Sequence, residues 1–255
     1  MTLQDFFSKY HRVAIGFSGG VDSSYLAYTA KKYAKKVLAI YYKSEFQPAF
    51  ELEDAKLFCH DYQIPLKILY ESVLTNSHIS SNPSNRCYYC KYQIFSAIQK
   101  EALSQGFSVL LDGTNSSDSQ DDRPGIKALQ ELSILSPLQL CGLSKERIRR
   151  LSKEAGLPCW DKPAYACLAT RIPTDTPITA TLLDSVEFCE NILFSMGFHD
   201  FRVRIRKEYA LLQISSHEYE IAVEKLERIR QLFSPYFSDV RLDPTTRKEC
   251  IESFL

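Results

Sequence analysis

Ser18-Gly19-Gly20-Val21-Asp22-Ser23 is the stretch that decides how this chain is read. It follows the apolar run Val13-Ala14-Ile15-Gly16-Phe17 and precedes a helix-like segment, residues 24–32. A strand that ends in a Ser/Gly turn and feeds a helix turns backbone N–H groups and the positive end of the helix dipole toward an anion. Gly19 and Gly20 let the backbone approach phosphate oxygens with no Cβ in the way, and the hydroxyls of Ser18 and Ser23 add donors. Asp22 is the odd member, because a carboxylate beside a polyphosphate requires a cation such as Mg²⁺ between them. The segment lacks the lysine and the longer spacing of a Walker A loop, which disfavours simple γ-phosphoryl transfer. The plain alternative is a serine-capped turn that binds nothing; the full pattern after a strand favours a nucleotide pyrophosphate site.

Outward from this loop, strand and helix patterns alternate. Residues 37–42 read as a strand, 50–62 as a helix, 66–70 as a strand, 92–103 as a helix, 108–111 as a strand and 133–135 as a short strand. This rhythm predicts an α/β fold, a mostly parallel sheet with flanking helices. Ligands of such sheets bind beyond the carboxyl ends of the strands, where both Ser18 and Asp112-Gly113-Thr114-Asn115 lie. A charged helix over 143–155 stops at Gly156, with Pro158 just beyond. Residues 1–157 are therefore assigned to a nucleotide-binding domain and 158–178 to an ordered, proline-rich active-site loop and linker. From residue 179, Leu182, Val186, Cys189, Leu193 and Met196 recur at helical spacing. Strands over 201–205 and 210–214, a helix carrying Ala222, Leu226, Ile229 and Phe233, and a strand near Val240 complete a smaller α+β domain over 179–255.

Composition sets bounds on partners. Lys+Arg and Asp+Glu balance at 31 each, so the formal net charge is zero, whereas a nucleic-acid binder usually carries a basic excess. No apolar run is long enough to span a bilayer and residues 1–10 carry no signal-peptide core, so a cytoplasmic protein is expected. Eight cysteines without an export signal read as thiols or metal ligands rather than a disulfide framework. Cys59, Cys189 and Cys250 sit in helix-like or terminal contexts that suit a small buried hydrophobe. The five histidines share no spacing, and Trp160 reads as an anchor for the proline-rich loop.

Several segments in order resemble one family: SGGVDS at 18–23, NRCYYCK at 85–91, DGTN at 112–115, DDRPG at 121–125 and CLATRIP at 167–173. The loop resembles the PP-loop of ATP pyrophosphatases. The whole set is similar to the LarE family of ATP-dependent sulfur transferases, which serves nickel-pincer nucleotide biosynthesis. The resemblance implies a PP-loop domain that adenylates a carboxylate of a pyridinium-biscarboxylate mononucleotide, releases pyrophosphate and delivers sulfur to give a thiocarboxylate. It implies ATP and Mg²⁺ at Ser18, Gly19, Gly20, Asp22, Ser23 and Asn115, with Asp118, Asp121 and Asp122 near the nucleotide or metal. It also implies a homo-oligomer.

Sulfur has two sources in such proteins, a lone sacrificial cysteine that becomes dehydroalanine or three cysteines that hold a [4Fe–4S] cluster. Cys87, Cys90 and Cys167 match the three-cysteine pattern, which leaves one iron open for sulfide; zinc closure through Cys141 or Cys159 is the remaining option. Arg202, Arg204 and Arg206 alternate with Val203 and Ile205, so on a strand the guanidinium groups share one face. By resemblance Arg202 and Arg204 bind the substrate phosphate, with Arg171 and Glu190 as further substrate contacts, and Asp22 and Cys167 are the catalytic residues. Gln213 departs from the family by standing where an acidic residue is expected. The competing readings are a PP-loop tRNA thiolase, an amide-forming PP-loop synthetase and a non-catalytic nucleotide sensor.

Overall fold

An apolar run with no alternation buries both its faces only inside a sheet covered by helices. Val13, Ala14 and Ile15 do so, wholly buried in β1 (Arg12–Gly16). The computed structural model describes residues 1–118, 124–207 and 209–247, in which two compact units are distinguished: Met1–Ile79 with Ser84–Lys162, and Ser80–Pro83 with the chain from Pro163 onward. In the first unit β1 is joined by β2 (Lys36–Lys43), β3 (Leu66–Tyr70) and β4 (Leu110–Leu111). All pairings are parallel, in the order β3-β2-β1-β4. In place of the short strand anticipated at 133–135, Leu135 alone extends the sheet, through an isolated parallel bridge to Leu111.

The connections are helical, as parallel strands demand. The first helix, α1 (Leu3–Lys9), starts with a capping box between Thr2 and Asp5. Next come α2 (Val21–Tyr33) between β1 and β2, and α3 (Ala49–Asp61) between β2 and β3. A single turn, α4 (Ser77–Ser80), precedes α5 (Arg86–Ser104), and α6 (Pro124–Glu131), α7 (Pro137–Leu140) and α8 (Lys145–Glu154) follow β4. Phe6, Phe7, Ile15, Leu26, Ala39, Phe58, Leu138 and Ile148 belong to one apolar core. The helix read at 92–103 begins six residues earlier, so both cysteines of NRCYYCK fall in its first turns.

The second unit holds a 3₁₀ turn (Leu168–Arg171), α9 (Ala180–Ser195), β5 (Phe201–Arg206) and β6 (Tyr209–Ile214). After them come α10 (Tyr219–Glu224), α11 (Leu226–Phe233) and β7 (Asp239–Leu242). The hairpin β5–β6 is antiparallel and β7 joins β6 in parallel. Thr179 caps α9 by accepting from Leu182 N, and α9 buries Leu183, Val186, Cys189 and Leu193. The anticipated helix around 222–233 is broken at Lys225, which ends α10 and starts α11.

Ser80–Pro83, which the sequence reading leaves with the N-terminal domain, belongs to this second unit through hydrogen bonds. Asn82 Nδ2 donates to Pro173 O (2.8 Å), Asp175 N donates to Asn82 O (2.9 Å) and Ile178 N donates to Ser80 O (2.7 Å). Asn82 takes a left-handed backbone, φ +56°, which asparagine accepts better than most residues. Among the described residues no helix is long and apolar enough to cross a membrane.

Candidate active site

The Ser18–Ser23 loop lies at the carboxyl end of β1. Gly19 has φ +74°, a conformation that favours glycine, and it turns the chain into α2. Gly20 is the N-cap of α2, and no side chain caps that helix. The serine hydroxyls instead bind each other and the loop: Ser18 Oγ lies 3.1 Å from Ser23 Oγ, and Ser23 Oγ donates to Gly20 O at 3.1 Å. The N–H groups of the first turn are therefore left for an anion.

Asp22 sits at the edge of this cradle. Its Oδ2 accepts from Lys145 Nζ at 2.5 Å, while Oδ1 is buried and has no hydrogen-bond partner among the described residues. Burial pushes the Asp22 carboxyl above its ordinary value, against the pull of Lys145; Asp118 adds to the upward push. A buried carboxylate oxygen without a donor is costly unless something positive is meant to reach it. This oxygen fits Mg²⁺ brought in with a polyphosphate.

Two further segments converge on the loop. A Cβ on Gly113 would meet Ser23 N at 3.1 Å and Ser23 Cα at 3.3 Å, so the DGTN segment packs directly on the start of α2. Asp112 is buried and accepts from Thr114 Oγ1, Thr114 N and Ser136 Oγ, which fixes that turn. Asn115, also buried, accepts from Ser117 N through Oδ1 (2.8 Å) and donates its N–H to Asp118 Oδ2 (3.1 Å). Ser144 caps α8, Lys145 N donates to Ser117 Oγ (3.0 Å), and Lys145 is thereby aimed at Asp22. One turn on, buried Arg149 donates to Trp160 O (2.6 Å) and Lys162 O (2.7 Å), so main-chain acceptors tie this stretch to α8, and Lys153 Nζ lies over the Trp160 ring. Asp121 and Asp122 lie outside the described residues.

The cysteines separate by environment. Burial pushes Cys59 and Cys189 up to about 12 and raises Cys159 and Cys141 as well. Cys87 is exposed, and Cys90 and Cys167 are half-buried. Cys87 and Cys90 share a face of the first turns of α5 in the first unit. Arg86 Nη2 lies 3.8 Å from Cys87 Sγ. Cys167 precedes the 3₁₀ turn of the second unit. Among the described residues no three His, Cys, Asp or Glu side chains are gathered to hold a metal ion, and Cys250 lies outside those residues.

In the second unit Arg171 and Glu190 form a forked ion pair, each side chain only 1% exposed. Arg171 Nε and Nη2 reach Glu190 Oε1 and Oε2 at 2.8 and 3.2 Å. Tyr165 Oη also donates to Oε2, and Val203 N donates to Oε1 at 2.9 Å. Burial works against the Arg171 charge, and the bond to Glu190 outweighs it, leaving its pKa raised. Arg202 is buried, not outward, with Nη1 on Phe201 O and Nη2 on Ala164 O; burial first, then Arg171 and Arg247, push it down to about 10. Arg204 is half-buried, with Nε on Gln213 Oε1 (2.5 Å) and Nη1 on Thr170 O (2.9 Å). Gln213 in turn donates to Asp243 Oδ2 at 2.9 Å, so a carboxylate stands one hydrogen bond behind the glutamine.

Comparison with known proteins agrees with this arrangement. The NAD synthase family model matches residues 3–80, the β1–α2 region included. An uncharacterized protein of Synechocystis is 34% identical over 245 residues, 94% of this chain and 91% of that protein. Pyridinium-3,5-bisthiocarboxylic acid mononucleotide synthase of Lactiplantibacillus plantarum, a LarE protein, is 30% identical over 235 residues, 91% of this chain and 85% of that one. The chain belongs to the LarE family. The tRNA-specific 2-thiouridylase of Clostridium acetobutylicum is 28% identical over 189 residues, 59% of this chain and 53% of that enzyme. Within a LarE frame, sequence reasoning missed Lys145 and Tyr165. Lys145 opens the charged helix after a serine N-cap, a visible signal of place but not of its partner 123 residues away.

Proposed function

We propose that this protein is an ATP-dependent sulfur transferase acting on a carboxylate of a pyridinium-biscarboxylate mononucleotide. The observation that carries the reading is Asp22 Oδ1, buried and unpartnered beside an uncapped helix start, in a chain of the LarE family. The substrate carboxylate attacks the α-phosphorus of ATP, pyrophosphate leaves, and the acyl adenylate that forms has AMP as a good leaving group. Ser18, Gly19, Gly20, Ser23 and Asn115 hold the nucleotide. Mg²⁺ at Asp22 neutralises phosphate charge when bound. A sulfur nucleophile then attacks the acyl carbon and expels AMP. Arg204, whose Nη2 has no partner among the described residues, is offered to the substrate phosphate.

Cys167 delivers the sulfur or holds what delivers it. Thiolates of Cys87, Cys90 and Cys167 are the right donors for three irons of a [4Fe–4S] cluster, which would supply a coordinated sulfide. Mass spectrometry before and after incubation with ATP, Mg²⁺ and the mononucleotide tests the reading. Loss of one hydrogen sulfide from Cys167 marks the sacrificial route. Unchanged protein, thiolated product and a sulfide requirement mark the cluster route. No adenylated or thiolated product in either arm rejects the substrate. The match to 2-thiouridylases favours tRNA thiolation as the second reading, against which the zero net charge stands.

A further inference from the structure

The segment that ends in Cys167 is held in an unusual way. Ala164 and Ala166 are exposed, yet each gives its carbonyl to a buried guanidinium: Ala164 O accepts from Arg202 Nη2, and Ala166 O accepts from Arg171 Nη1 at 2.9 Å. Between them the Tyr165 ring turns inward. Its centroid lies 4.6 Å from the Arg171 guanidinium carbon and 4.8 Å from that of Arg202, and its hydroxyl donates to Glu190. Cys167 O then accepts from Thr170 N (3.0 Å) and Thr170 Oγ1 (2.8 Å), with Arg171 Nη1 at 3.5 Å. Four consecutive residues are thus fixed by main-chain or ring contacts, while the Cys167 side chain remains half-buried.

Stability alone is a poor reason for this arrangement. Arg202 is buried, and among the described residues its ion-pair contact is the long one to Asp200, at 4.0 Å. Burying charge to tie down a four-residue surface segment stabilises a fold less well than apolar packing does. A satisfied buried polar network does fix one geometry, which a group delivering sulfur to an acyl carbon needs.

We propose that Tyr165 and Arg202, with the Arg171–Glu190 pair, clamp residues 164–167 so that Cys167 presents its sulfur in one direction, making Tyr165 and Arg202 positioning residues rather than substrate contacts. The role for Cys167 rests on the function proposed above; the clamp itself is a matter of geometry.

Tyr165→Phe keeps the ring between the guanidiniums and removes only the hydroxyl. Arg202→Lys keeps the charge and removes the fork. Three measurements on each full-length variant decide the matter: hydrogen exchange of the Thr170 amide, whose acceptor is Cys167 O, alkylation of Cys167 by iodoacetamide with Cys87 as internal reference, and product formation split into pyrophosphate release and thiolation. For Tyr165→Phe, exchange and alkylation should each rise about tenfold, as loss of a hydrogen bond to a charged group predicts. Thiolation should fall about tenfold or more through misplacement of the sulfur. Pyrophosphate release should stay within about twofold. Unchanged exchange and alkylation in Tyr165→Phe overturn the clamp. An Arg202→Lys protein with wild-type exchange and alkylation but a raised KM for the mononucleotide also overturns it, making Arg202 a substrate contact. If the wild type forms no thiolated product, the proposed function fails, while exchange and alkylation still decide the clamp.

Discussion

Replacing Asp22 with asparagine should stabilise the nucleotide-free protein and abolish its response to Mg·ATP. In the wild type Oδ1 is buried without a donor, a state that costs about 1–3 kcal/mol. The Lys145 bond offsets only part of this, because the two side chains are 20% and 35% exposed and pairs of that kind return ~1 kcal/mol or less. Asparagine removes the buried charge while its amide oxygen still accepts from Lys145, for a gain of about 1 kcal/mol, near the lower end of that range. The midpoint of thermal unfolding should rise by about 2–4 °C.

The pH dependence carries the sign. The folded Asp22 carboxyl lies above its ordinary value of 3.8, because burial outweighs Lys145, so the native state holds this proton more tightly than the unfolded chain. The group's contribution to stability therefore falls as pH rises through the window above 3.8. The advantage of Asp22→Asn should open in that window and close below it. Mg·ATP at a hundred times its Kd stabilises a single-site protein by about 2.7 kcal/mol, and this shift should vanish in the variant. Calorimetry with and without Mg·ATP across pH reads both effects. A variant that melts lower than the wild type without nucleotide, yet still gains the full Mg·ATP shift, refutes the reasoning.

Gly113→Ala brings a methyl group to 3.1 Å from Ser23 N, where the obstacle is backbone, and should cost about 1–3 kcal/mol while weakening ATP binding, read by titration calorimetry; unchanged affinity would mean that the DGTN segment does not shape the cradle. Glu190→Gln strips the buried Arg171 of its counter-charge and should destabilise the second unit by about 3–5 kcal/mol, followed by hydrogen exchange in β5. Brief alkylation of the native protein at pH 8 should label Cys87 and spare Cys59 and Cys189, whose thiols burial pushes up to about 12, with peptide mass spectrometry as the readout.

The parts of the fold legible in the sequence were those set by local pattern. Apolar runs and glycine stops place β2, β3 and α9 within a residue or so, because strand and helix periods leave a direct trace. The first turns of α5 were not legible: Cys87, Tyr88, Tyr89 and Cys90 carry no helical period, and Arg86 is buried there over the Phe46 ring. Lys225, midway through an amphipathic pattern, gave no sign that α10 ends at it. In the site, the glycine loop and its carboxylate announce themselves, whereas Lys145 on Asp22 and Tyr165 on Glu190 depend on tertiary packing. Arg202 shows the limit of alternation, which assigns it a face but cannot tell whether that face is covered.

The short excursion at Ser80–Pro83 has a consequence for biosynthesis. Asn82 finds its acceptor at Pro173, 91 residues later in the chain. At a translation rate of about 5–20 residues per second, this segment waits several seconds or longer for its partners to be made. Meanwhile β1, β2 and β3, with the glycine loop between the first two, have already left the ribosome. A nascent chain stalled before residue 173 therefore carries the three leading strands while Asn82 still lacks its native acceptor.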